Sequence, residues 1–153
     1  MVLTSASEVM LRDMSLHACI ADTGGGAIFV GSGSTATATW TNFTDCTSGS
    51  GGVMYINSGA AFFTSTSFMD CSATYGGGVY IYSGTAEIAS TSFESCSAGS
   101  NGGAIFTDGA STMNLTSTQF SACSAPSVSE PRKSGSFHVS SAATLPSCLL
   151  RSS

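Results

Sequence analysis

The chain has 153 residues, a formal net charge of −5, and only 8% charged residues against 42% hydrophobic ones. Disorder needs low hydrophobicity with high charge, so this composition predicts a folded chain, long enough for one domain with a real core. No Lys, Arg or His occurs from Ala18 to Pro131, which excludes a nucleic-acid partner, because phosphate binding needs a basic surface.

No run of about twenty apolar residues is present, so no membrane span is expected within the chain. The first residues, Met1 to Leu16, carry Glu8, Arg12 and Asp13 where a secretory leader would be uninterrupted and apolar. Residues 1–15 are expected to be an N-terminal cap or flanking segment, since an open stack of strands exposes edges that invite aggregation.

From residue 16 to 125 two signals keep one period of about 25 residues, the mark of a stacked unit. One is a glycine pair followed by apolar residues: Gly25-Gly26-Ala27-Ile28, Gly51-Gly52-Val53-Met54, Gly77-Gly78-Val79-Tyr80 and Gly102-Gly103-Ala104-Ile105. The other is Phe-x-x-Cys, with Phe43 and Cys46, Phe68 and Cys71, Phe93 and Cys96, and Phe120 and Cys123 as a structural ladder. Leu16 and Cys19 make a degenerate first copy, and Leu145 and Cys148 a last one.

Before each Phe stands an apolar pair two residues apart: Ala36 and Ala38, Ala61 and Phe63, Ala86 and Ile88, Met113 and Leu115. That spacing is strand alternation with one face buried. A polar Ser/Thr stretch follows and reads as a corner. Units this short bury their apolar faces only by stacking, so the predicted fold is all-β, a parallel β-helix of about 5 to 6 coils. The pattern fails after Cys123, where Pro126, Pro131, Arg132 and Lys133 intervene; residues 126–153 are expected to be a degraded last coil or loose tail.

Several rows carry candidate chemistry. The cysteines, one per coil, read as buried thiols, because in-register Cβ atoms about 4.8 Å apart lie slightly beyond disulfide geometry. They also lie in a line rather than converging tetrahedrally as zinc requires, and His17 and His138 belong to opposite ends, so neither a metal nor a cofactor is expected. Asp45 and Asp70 recur one coil apart with Glu94 close by, a spacing that would suit a retaining glycosidase. Repeat duplication accounts for the same recurrence. A lyase would need a cation that the repeat body lacks.

Thr41, Thr66, Thr91 and Thr118 align, with Thr39, Thr64 and Thr116 in a second row; an outward Thr array could bind ice, although Thr at a corner also serves by bonding to backbone. In the strand after the glycines both alternating sets are apolar, so one set must be covered or form an exposed stripe. Met54, Tyr80, Tyr82 and Ile105 are the expected binding residues.

Gly-Gly-Ala-Ile, literal at Gly25–Ile28 and Gly102–Ile105, together with a Phe-x-x-Asn-like motif in which Cys replaces Asn, resembles the repeats of chlamydial polymorphic outer membrane proteins. The resemblance covers about residues 16–125. It implies a right-handed coil of the pectin-lyase-like type and a non-catalytic, adhesin-type module at the cell surface or secreted, with a protein or glycan partner. A polysaccharide-acting β-helix enzyme and an ice-binding protein are the alternatives.

Overall fold

The computed structural model describes residues 1–126 in full and, beyond them, the backbone of strands Gly135–Ser140 and Leu149–Arg151. Cys148, expected to continue the cysteine position, lies outside the described residues. All paired strands are parallel, and no helix occurs among the described residues. The expected parallel β-helix is borne out, as a solenoid of about 5 turns with a period of about 26 residues.

Each full coil contributes one strand to each of four sheets. In chain order through the second coil these are Ile28–Val30 in sheet 1, Thr35–Thr39 in sheet 2, Asn42–Thr44 in sheet 3 and Thr47–Ser50 in sheet 4. The third coil repeats them as Met54–Asn57, Ala60–Thr64, Ser67–Met69 and Ser72–Tyr75, all in register. Residues 1–15 lie at the end of the stack, where Val2–Leu3 extends sheet 1 and Glu8–Arg12 extends sheet 2. At the other end Leu149–Arg151 and Gly135–Ser140 extend the same two sheets.

The corners have a backbone cause. Trp40, Ser65, Ser90 and Ser117 each take positive φ between sheets 2 and 3, and Asp45, Asp70 and Ser95 do so between sheets 3 and 4. A single left-handed residue swings an extended chain through a sharp bend, and the next residue turns inward. The bends remain bonded along the axis: the N–H of Trp40 donates to the carbonyl of Thr64 (3.1 Å), and that of Asp45 to Met69 (3.1 Å).

At the fourth corner two glycines act differently. Gly51, Gly76 and Gly102 have φ of +65°, +63° and +66°, while a Cβ on Gly52 or Gly77 would lie 2.0 or 2.1 Å from a carbonyl oxygen of the next coil. The first glycine supplies the turn and the second a close approach of two backbones.

The interior is a set of single-residue columns. Phe43, Phe68, Phe93 and Phe120 stack with ring centroids 5.3, 4.4 and 5.2 Å apart, and Phe63 meets Phe68 edge-on. Beside them run Ala38, Phe63, Ile88 and Leu115, in register and buried. Offset ring stacking at ladder spacing adds to the burial term, so the rod needs no helix or second layer to close its core.

Candidate functional site

The outward column of sheet 1 is aromatic. Phe29, Tyr55, Tyr80 and Phe106 face one another across successive strands, with centroids 5.4, 4.9 and 5.0 Å apart. Tyr75, at the end of its sheet 4 strand, reaches over the glycine corner to lie 5.5 Å from Phe106 and 6.2 Å from Tyr80. Tyr82 stands two residues beyond Tyr80 on the same face, beside Asn57 and Asp108. All four tyrosines of the chain thus share one lateral patch. Tyr75 and Tyr82 are exposed, Tyr55 and Tyr80 half-buried, and Phe106 covered. Burial, reinforced by the Asp108 carboxylate and neighbouring phenols, raises the Tyr80 hydroxyl above its ordinary value; burial raises Tyr55 likewise.

Two of the four expected binding residues are corrected. Met54 and Ile105 are 0% exposed and point into the core, whereas Tyr80 and Tyr82 do lie on the outer face. Met54 pairs with Val79 and Val79 with Ile105, so Tyr80 is the partner of Tyr55 rather than of Met54. The third coil has three glycines, and it is Gly76-Gly77 that matches Gly51-Gly52; aligning Gly77-Gly78 instead slips the register by one residue. A slip of one exchanges the two faces of a strand. Counting from the Phe ladder would have found Tyr55: Met54 follows Phe43, and Val79 follows Phe68, by the same interval.

The ladder residues occupy the interior. Phe43, Cys46, Phe68, Cys71 and Cys96 are 0% exposed and Phe93 1%, while Phe120 at the end reaches 9% and Cys123 is half-buried. Cys46, Cys71 and Cys96 are thiols without a disulfide. Each donates weakly to the carbonyl two residues before it, at 3.5, 3.2 and 3.6 Å.

The first Thr row faces inward, contrary to the outward array that ice binding needs. Thr41, Thr66, Thr91 and Thr118 are at most 2% exposed, and their hydroxyls donate to the carbonyl two residues back at 2.9 to 3.2 Å. The hydroxyls of Thr66 and Thr118 also reach the coil below. These threonines pin corners. In the second row Thr39 is half-buried and Thr64 and Thr116 are exposed, with Ala89 interrupting them in register.

A family model for a right-handed beta helix region matches residues 2–149. The chain belongs to this family. Neither the curated proteins nor the solved structures compared with it give a match. Right-handed beta helix proteins include both enzymes and non-enzymes, so the chemistry rests on the residues of this one.

On this right-handed beta helix Asp45, Asp70 and Glu94 all stand on the outside. Asp45 and Asp70 are the exposed bend residues between sheets 3 and 4. Nε2 of His17 lies 2.9 Å from the Asp45 carboxylate. Glu94 is exposed at the outer end of its strand. No group of three or more His, Cys, Asp or Glu converges on a metal position among the described residues. Two shallow depressions, one lined by Thr4, Ser5, Phe29, Gly31, Ser32 and Asn57 and the other by Ser90, Thr91, Ser92, Ser117 and Gln119, contain no titratable side chain. Neither offers an acid, a base or a nucleophile with an activating partner.

Proposed function

We propose that the chain is a non-catalytic display module of the polymorphic outer membrane protein type, acting at the cell surface or in secreted form and gripping a protein partner through its aromatic face. The observation that carries this reading is the gathering of Tyr55, Tyr75, Tyr80 and Tyr82 on one lateral patch with Phe29 and Phe106. Tyrosine is enriched in protein interfaces because it supplies a large rigid contact with a polar tip at low entropic cost. A glycan is the weaker occupant. Sugars pack on ring faces, and Tyr55 and Tyr80 spend theirs on each other, with centroids 4.9 Å apart and planes 19° from parallel.

Beads coated with the purified chain should adhere to cultured epithelial cells, and Tyr80→Ser with Tyr82→Ser should reduce adhesion about tenfold or more, the effect of losing interface anchors. Circular dichroism of the double variant checks that the coil persists. Brief protease treatment of the cells should remove adhesion, whereas enzymatic removal of glycans should leave it. Undiminished adhesion by the double variant, or adhesion that survives the protease, would overturn this reading.

A further inference from the structure

The cysteine file has a use that the aromatic face does not touch. Cys19, Cys46, Cys71, Cys96 and Cys123 occupy one interior position in five successive coils. The three central thiols are wholly buried and the two outer ones half-buried, so the file is closed along its length and reachable at both ends. Register on either side stacks the file coil on coil: Phe43, Phe68, Phe93 and Phe120, three residues before a cysteine, pair strand to strand, as do Thr47, Ser72 and Ser97, one residue after.

One ligand per coil defeats a tetrahedral ion, but a straight pair of sulfurs is what a two-coordinate ion needs. Metal–thiolate bonds of about 2.3 Å laid end to end place two sulfurs about 4.6 Å apart. Successive parallel strands stand about 4.7 to 4.9 Å apart, so an ion midway between two coils would need little movement of either backbone. Thiolate sulfur is soft, and an apolar interior without carboxylate or imidazole gives hard ions nothing to bind.

We infer that the cysteine file is a binding site for soft, linearly coordinating d¹⁰ ions of the Cu(I), Ag(I) and Hg(II) class, each held between the sulfurs of two adjacent coils. Binding breaks two S–H bonds, forms two metal–sulfur bonds and releases two protons to solvent, with no change of oxidation state. A divalent ion leaves the pair neutral and a monovalent ion leaves one negative charge.

If each thiolate serves one ion, capacity depends on which cysteines are adjacent as well as on how many there are. In a full-length Cys148→Ser background, five thiols in file make two adjacent pairs. Cys71→Ala leaves Cys19 with Cys46 and Cys96 with Cys123, still two pairs. Cys46→Ala strands Cys19 and leaves one pair among Cys71, Cys96 and Cys123. The reduced protein, dilute and with a competing monothiol present, is titrated with Ag(I); bound metal, protons released and melting temperature are measured.

The expected capacities are two ions for the parent, two for Cys71→Ala and one for Cys46→Ala, with two protons released per ion and a raised melting temperature. Circular dichroism establishes folding, and Ser replaces Ala in any variant that fails to fold. Equal capacities for the two four-thiol variants, one ion per thiol, or loss of the β spectrum on loading would each overturn the inference.

Discussion

Gly76 and Gly77 are adjacent glycines with different duties. Gly76 turns the chain through positive φ, and Gly77 has no room for a side chain, because its Cβ would meet the Gly103 carbonyl at 2.1 Å. Alanine at Gly77 must therefore separate two backbones that are hydrogen-bonded along the stack, and a loss of about 3 kcal/mol or more is expected. Gly99, exposed and with nothing nearer than 3.9 Å, is the control. Alanine there should change stability by less than about 1 kcal/mol in either direction. Urea midpoints at constant slope measure both, and equal losses would refute the close-approach argument. The glycine pairs were visible in the sequence, but the bends at Trp40, Ser65, Ser90 and Ser117 were not located residue by residue. Trp and Ser carry no strong preference for the left-handed region, so nothing local shows that the following threonine turns inward.

At the scale of one sheet, the alternation of Met54–Asn57 and its neighbours decides which side chains reach solvent. The inner columns were legible because Phe43, Phe68, Phe93 and Phe120 repeat without error and the apolar pairs before them keep a fixed offset. The outer aromatic column was only half legible, because the extra glycine at Gly78 shifts one motif against the other and hides that Tyr55 and Tyr80 are partners. Their burial has a measurable consequence. Both phenols are raised from their ordinary value of 10.0, so the folded chain keeps protons that the unfolded chain gives up. The stability they contribute is fully present below about pH 10 and is lost as pH rises above it. Tyr55→Phe with Tyr80→Phe removes both titrations, and its unfolding free energy should fall less steeply between pH 10 and 12 than that of the parent. An identical slope would show that neither phenol is desolvated by the column.

Over the whole molecule, the fold class and the approximate period were readable because stacking demands identical units, and two independent motifs report the same period. What the rod does was less readable, because a solenoid places its functional residues on a surface that the repeat does not constrain. The Asp45 and Asp70 recurrence illustrates this: a position needed for a bend repeats as faithfully as one needed for chemistry. The same regularity governs how the rod responds to load. Hydrogen bonds of all four sheets run from coil to coil, parallel to the axis, and within one coil few bonds resist its straightening. A chain held by its ends and stretched along that axis should yield coil by coil at modest force, giving a sawtooth of near-equal steps. Each step should release about 26 residues, or roughly 90 Å of contour at the extended reach of the backbone. Single-molecule force spectroscopy measures this directly, and a single all-or-none rupture would contradict it. In the proposed surface role, yielding of this kind would make the rod a shock absorber: under flow it would lengthen in instalments, and a contact at its face would be spared the full pull.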